Sequence, residues 1–205
     1  SNNLSAPWIW SRIRRIGRSR YNLFEEQLGY LEGGSKTLLN AMKNYVEKNG
    51  GEFRLSSPVD KIVMDKKSVK GIESKGTFEE YEKVISTIPL PLVAKIAPDL
   101  PKDIHEKYSS KINIGCVCVI VKLNKPLTNN FWLNTNDENM DIPGIIEYSN
   151  LNSEVGNIVY VPYYMPQTNP KFQDSDETFK EKVSKYFKTI NPSLKDDDIK
   201  DIRVH

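Results

Sequence analysis

The segment Lys111–Leu123 (KINIGCVCVIVKL) constrains this chain most. Its β-branched residues and flanking polar turns make it the clearest strand in the sequence. Its apolar heart, Ile114–Val121, is interrupted by Gly115 and falls far short of the roughly twenty residues that cross a bilayer. Further strands are expected at Glu52–Leu55, Val59–Met64, Ser68–Ser74, Thr77–Tyr81, Lys83–Ser86, Phe131–Thr135, Gly144–Ser149, Asn157–Tyr164 and Ile199–Val204.

Helices are expected where apolar residues recur at helical spacing. From Trp8 to Arg20, Ile9, Ile13 and Ile16 share a stripe. Gly33-Gly34-Ser35 opens a second helix, with Ser35 as N-cap, an apolar stripe through Leu38, Leu39, Met42, Tyr45 and Val46, and Asn49-Gly50-Gly51 as its stop. Shorter helices follow Pro89 through Ile96 and span Lys102–Ser109. Phe179, Val183, Tyr186 and Phe187 mark a last one over about Ser175–Ile190. A helix followed by short strands, joined by a Lys66-Lys67 turn, reads as a β-meander inserted in an α/β unit. The fold class expected is α/β (α+β), with a mixed sheet flanked by helices and a boundary near Pro98–Pro101.

Composition excludes more than it selects. The chain has 205 residues, a formal charge of +2 and two cysteines, too few for a disulfide framework. It carries no GxGxxG, no Walker-type glycine loop, no HExxH and no GxSxG. His105 and His205 are its only histidines, so zinc binding and histidine acid–base chemistry have little material and no metal site is expected. The near-neutral charge argues against general nucleic-acid binding. One local exception stands out: five of the seven arginines lie between Arg12 and Arg20. That helix reads as an anionic-membrane or nucleic-acid patch, or as one whose arginines pair with carboxylates of a neighbouring domain. The same arginines break up any signal-peptide core near Trp8 and Trp10, so the cytoplasm is the expected location.

Side chains with chemistry are sparse. Cys116 and Cys118 share one strand face, at a spacing unfavourable for a mutual disulfide, and read as small buried hydrophobes. Asp196-Asp197-Asp198 lacks the glycine and glutamate of a calcium loop and reads as a solvated element start. Trp132, Tyr148, Tyr160, Tyr163 and Tyr164 are all expected on strands, with Tyr160 and Tyr164 on one face and Tyr163 on the other. Such aromatic faces suit a planar cofactor or a cation, and equally an ordinary core.

Four segments in a fixed order carry a family resemblance: GYLEGGSKTLLNAM (Gly29–Met42), EKNGGEFRLSSPVDKI (Glu47–Ile62), VKGIESKG (Val69–Gly76) and KVISTIPLPLVAKI (Lys83–Ile96). The order resembles the middle of the FAD-dependent amine oxidoreductase superfamily, which includes amine oxidases, protoporphyrinogen oxidase and phytoene desaturases. Later segments (VCVIVKLNKPL, FWLN, PGIIEYSNL, NIVYVPYY, INPSL) are similar to its substrate-binding domain.

The resemblance implies a central portion of a flavoenzyme. Residues 1–32 would be a basic helix of the substrate domain, 33–98 a helix and meander of the FAD-binding domain, and 99–205 a truncated substrate-binding domain. FAD is the implied cofactor. By resemblance, Val59 meets the adenine through its backbone, Thr87, Ile88 and Pro89 line the cofactor cleft, and Gly33 and Gly34 permit close backbone approach. Trp132, Tyr148 and Tyr163 are the candidates for the substrate pocket, and no catalytic acid or base is implied. The family's glycine fingerprint would precede Ser1 and its flavin-wrapping segment would follow His205, so this chain alone is expected neither to retain FAD nor to turn over. The implied partners are a small-molecule substrate and those further segments, with peripheral membrane contact through Arg12–Arg20. A flavin-dependent sugar mutase and a non-catalytic binding module remain as alternatives.

Overall fold

A computed structural model of the chain describes residues 5–20, 22, 29–65 and 68–205. These residues divide into two compact units, one ending at Leu55 and one beginning at Ser56. The expected Lys66-Lys67 turn lies outside the described residues.

The first unit carries two helices, α1 (Ala6–Arg18) and α2 (Ser35–Lys48). Ser5 caps α1, its hydroxyl accepting from the Trp8 amide, and a proline in the first turn suits a position that needs no N–H donor. Gly34, not Ser35, is the N-cap of α2. Gly33 and Gly34 have φ of 77° and 70°, a backbone region that side chains disfavour, so the turn selects glycine twice. A Cβ on Gly33 would sit 2.5 Å from Thr37 Oγ1, which holds the turn by donating to the Glu32 carbonyl.

The second unit contains two sheets, both antiparallel throughout. The smaller is a meander of β1 (Lys61–Asp65), β2 (Ser68–Ser74) and β3 (Thr77–Glu80), in that order. Two short helices follow, α3 (Leu90–Ile96) and α4 (Lys102–Ser109). The larger sheet has the order β5-β6-β7-β4-β8, from β4 (Ile114–Leu123), β5 (Trp132–Asn134), β6 (Gly144–Glu147), β7 (Ile158–Pro166) and β8 (Ile199–Val204). Long strand β4 lies between β7 and β8 and pairs with both. The α–β fold class stands, while the sheet expected to be mixed has only antiparallel pairings.

Two expected strands do not form. Residues 52–55 and 83–86 have no strand partner among the described residues, and Ile85 is 91% exposed. A strand's ladder groups need a neighbour, so pattern alone does not make one.

The core lies on one face of the larger sheet. Val117, Val119, Val121 and Leu123 alternate inward on β4, as do Val159, Val161, Tyr163 and Met165 on β7. Helix α5 (Asp176–Ile190) covers them with Phe179, Val183, Tyr186 and Phe187. Full burial of such side chains contributes roughly 1.5–3 kcal/mol each. Ser175 caps α5 by accepting from the Thr178 amide, and Asp176 and Glu177 complement the positive end of the helix dipole.

Candidate functional site

Among the described residues α5 packs on the valine face of the larger sheet, and the second face is not the polar surface that a one-sided antiparallel sheet usually shows to water. Directly paired residues share a face, so the register defines one row across all five strands: Trp132, Ile146, Tyr160, Ile120 and Arg203. Four of the five are apolar or aromatic. Trp132 is 48% exposed and its indole Nε1 donates to Asn134 Oδ1 at 2.7 Å. Tyr148 stands edge-on to Tyr160, with ring centroids 6.2 Å apart. Ile114, Cys116, Cys118 and Tyr164 continue the face along β4 and β7.

At the β8 side the face dips into a cavity of about 250 Å³, lined by Ile120, Lys122, Ile158, Asp201, Arg203 and His205. Arg203 is held there by Asp201, 2.9 Å from Nε. Polar and charged groups therefore flank one end of the aromatic row. Cys116 and Cys118 are free, and partial burial pushes both thiols above the ordinary cysteine value, which keeps them protonated and weakly nucleophilic at neutral pH.

Of the three aromatic residues expected in a pocket, two share this face and one does not. Trp132 lies on β5, and Tyr148 on a 3₁₀ turn after β6 rather than on a strand. Tyr163 points the other way, 3% exposed, packed edge-on against Phe179 at 5.1 Å. Strand alternation explains the separation, and Tyr160 occupies the place on the open face that Tyr163 cannot reach. Ile120, Ile146 and Arg203 join the row through cross-strand register, which sequence order alone does not display.

The residues that resemble cofactor contacts sit in exposed loops and turns. Val59 precedes β1. The carbonyl of Pro58 accepts from Ser74 Oγ, and the Asp60 amide donates to the Glu73 carbonyl at 2.8 Å. Between them, the amide and carbonyl of Val59 have no partner among the described residues. A donor and an acceptor left open side by side at an edge match what an adenine edge requires. Thr87 and Pro89 are exposed ahead of α3, and Pro89 is its N-cap. Pro89 also borders a cavity of about 280 Å³ with Leu92, Lys95, Lys111, Ile112 and Gln167. Gly33 and Gly34 belong to the first unit.

Two carboxylates, one buried and one at the surface, were not singled out by sequence. Glu147, fully buried, accepts from the Leu127 amide at 2.7 Å and from the Thr128 amide and hydroxyl at 2.7 and 2.9 Å. A lone carboxylate in the apolar run GIIEY was its signal. Asp141 accepts from Tyr186 OH at 2.6 Å and lies 2.5 Å from Lys171 Nζ and 3.6 Å from Lys182 Nζ. Burial raises its pKa, but the hydrogen bonds from Lys171 and Tyr186 and the charges of both lysines outweigh that and hold it below the usual carboxylate value. Among the described residues, no group of three or more His, Cys, Asp or Glu is placed to hold a metal ion, and no helix is long and apolar enough to cross a membrane.

Comparison with known proteins places this architecture. Residues 12–205 match the family model for flavin containing amine oxidoreductases. An oxidoreductase from Methanosarcina mazei superposes with a TM-score of 0.69 at 18% identity, covering 85% of this chain and 42% of that one. A proposed protoporphyrinogen oxidase from Exiguobacterium sp. 255-15 gives 0.66 at 17% identity, covering 98% and 45%. Reduced UDP-galactopyranose mutase gives 0.62 at 14% identity, covering 95% and 44%. At these identities the likeness is one of fold, and the chain spans less than half the length of each of these structures. No curated protein matches the chain.

Proposed function

This chain belongs to the flavin-containing amine oxidoreductase family, and from that premise we propose that the open face of its larger sheet is the wall that holds substrate against FAD. The observation that carries this reading is the cross-strand row Trp132–Ile146–Tyr160–Ile120, an apolar and aromatic stripe on the sheet face opposite α5. An apolar stripe that is partly exposed in this way, with Trp132 the most open member, suits a binding surface, and flat rings orient a ligand with little entropy to lose. FAD, when bound, supplies the hydride acceptor for oxidation of a C–N or C–C bond. The chain's own part is to bind, orient and exclude water. Trp132, Tyr148 and Tyr160 would contact substrate, the open backbone groups of Val59 would take the adenine edge, and Thr87, Pro89, Gly33 and Gly34 would border the cofactor.

A second reading rests on the polar cavity beside the row. Lys122, Arg203 and His205 around about 250 Å³ suit a substrate with anionic or hydroxyl groups, as a mutase-type isomerase would need. Electron balance separates the two in the flavin-loaded enzyme. An oxidase forms peroxide or a reduced acceptor in proportion to product, and a mutase forms product with neither.

The site assignment is tested by titrating isotope-labelled protein with FAD and with candidate amines. FAD in large excess, binding this chain weakly and in fast exchange, is expected to shift the Val59 amide resonance and its neighbours, and a bound amine to shift the Trp132 indole N–H. Excess FAD that moves other resonances and leaves Val59 unmoved, or no FAD-induced shift at all, with amines that leave Trp132 unmoved, overturns the proposal.

A further inference from the structure

We propose that α1 is an interfacial helix that docks on an anionic lipid surface, a property separate from flavin chemistry. At about 100° per residue, Ile9, Ile13, Ile16, Ala6, Gly17 and Trp10 fall within a sector roughly 120° wide. Arg14, Arg18, Arg15 and Arg12 occupy the opposite arc. Every residue of α1 from Ala6 to Arg18 is exposed, including Trp10 at 60% and Ile13 at 65%. The helix has no acidic residue, and among the described residues none of its four guanidinium groups meets a carboxylate. An internal ion-pairing role for these arginines therefore finds no support in the first unit.

Charge complementarity selects the occupant. Four cations along 13 residues face a negative partner, while an isoleucine stripe needs hydrocarbon to cover it. A nucleic-acid backbone satisfies the first requirement and leaves the second exposed. An anionic bilayer satisfies both, with the apolar stripe among the acyl chains and guanidinium groups at the phosphates. Trp10 lies at the edge of the isoleucine sector beside Arg14 and fits the boundary between these layers, whereas Trp8 falls between Arg15 and Arg12 on the arginine arc. Arg12 stacks on Trp8 and Arg14 on Trp10, each guanidinium carbon 4.9 Å from the ring centroid. Paired in this way, the Trp10 ring can sit at headgroup level with its cation turned toward the phosphates.

The test is flotation of the full chain with vesicles of phosphatidylcholine alone or with about one third phosphatidylserine. Binding is expected only to the anionic vesicles, and to weaken as added salt shortens the screening length. Arg15→Gln combined with Arg18→Gln is expected to lower partitioning about 30-fold, from about fivefold per arginine. Ile13→Asp is expected to abolish binding while leaving the arginines in place. Since every α1 side chain is exposed, these variants keep the fold, which far-UV circular dichroism checks. In a Trp132→Phe background, anionic vesicles are expected to shift tryptophan emission to the blue as Trp10 enters the interface, a shift that a further Trp10→Phe change should largely remove. No flotation at low salt overturns the proposal. So does flotation that Ile13→Asp leaves unchanged, or binding to duplex DNA without binding to vesicles.

Discussion

Replacing Glu147 by glutamine tests whether this buried carboxylate organises the loop beside the open face. Its two oxygens receive three donors and no acceptor lies among its hydrogen-bond partners: the Leu127 amide at one oxygen, the Thr128 amide and hydroxyl at the other. Glutamine has one acceptor oxygen. Its best placement keeps both Thr128 contacts, now between neutral groups, and sets an NH₂ against the Leu127 N–H where 2.7 Å once separated donor from acceptor. A charge-assisted bond is worth about 1.5–3 kcal/mol, and an orphaned buried N–H costs about 1–3 kcal/mol. Relief of the carboxylate's own desolvation offsets part of this. The net expectation is a loss of about 2–4 kcal/mol in the second unit. Urea unfolding, followed by Trp132 emission in a Trp8→Phe, Trp10→Phe background, should show the midpoint fall by about 1–2 M. Amide exchange at Leu127 and Thr128 should accelerate more than exchange in α5. A variant as stable as the parent, or more stable, would falsify the reasoning, because burial of the charge would then outweigh the bonds it makes.

Three further outcomes follow from the same unit. Asp141 has a lowered pKa in the fold, so its stabilising share is present above the ordinary aspartate value of about 3.9 and is lost as pH falls through the lowered value. The stability difference between parent and Asp141→Asn should therefore be largest near neutrality and shrink below about pH 4, as read from urea midpoints across pH; a pH-independent difference contradicts the assignment. Tyr163 has a buried hydroxyl with no hydrogen-bond partner among the described residues, and burial, with the Asp141 charge, raises its pKa. Tyr163→Phe should leave stability unchanged or raise it by up to about 1 kcal/mol, since the unpaired hydroxyl was desolvated for nothing. A marked loss would reveal a bond not seen here. Gly144→Ala should destabilise the β5–β6 pairing, because the new Cβ would lie 2.3 Å from the Leu133 carbonyl oxygen; slowed exchange at Leu133 in the variant would contradict this.

Local pattern made much of the fold legible. Lys102–Ser109, Ser68–Ser74 and Ile199–Val204 were bounded from sequence as the structure bounds them, because spacing, caps and turns there all agree. Glu52–Leu55 and Lys83–Ser86 carry strand-like composition, but a strand is a property of a pair and neither forms a strand pairing among the described residues. The aromatic residues show the same limit. Alternation correctly set Tyr163 against Tyr160 and Tyr164, yet only register reveals which face α5 covers and that Ile120 and Arg203 stand beside Tyr160. The unpaired backbone of Val59 was invisible for a similar reason, since the bonds that define it belong to Ser74 and Glu73, more than a strand away.

The division between the two sheet faces ties stability to function in this chain. Valines fill alternate positions of β4 and β7 on the α5 side, where shape and volume decide packing. On the other side the intervening positions hold Ile120, Cys118, Pro162 and Tyr160, of which Pro162 is buried and the other three are half-buried. A sheet stabilised mainly from one side can keep its opposite face apolar and partly exposed, and loop-borne groups at its edges can change without disturbing the valine core. Substitutions at Trp132 or Ile120 should thus alter ligand binding with little effect on unfolding, whereas Val119 or Val161 should do the reverse. A Val119→Ala loss of about 1–3 kcal/mol beside a Trp132→Ala loss below about 0.5 kcal/mol would bear out that separation, and equal losses would deny it.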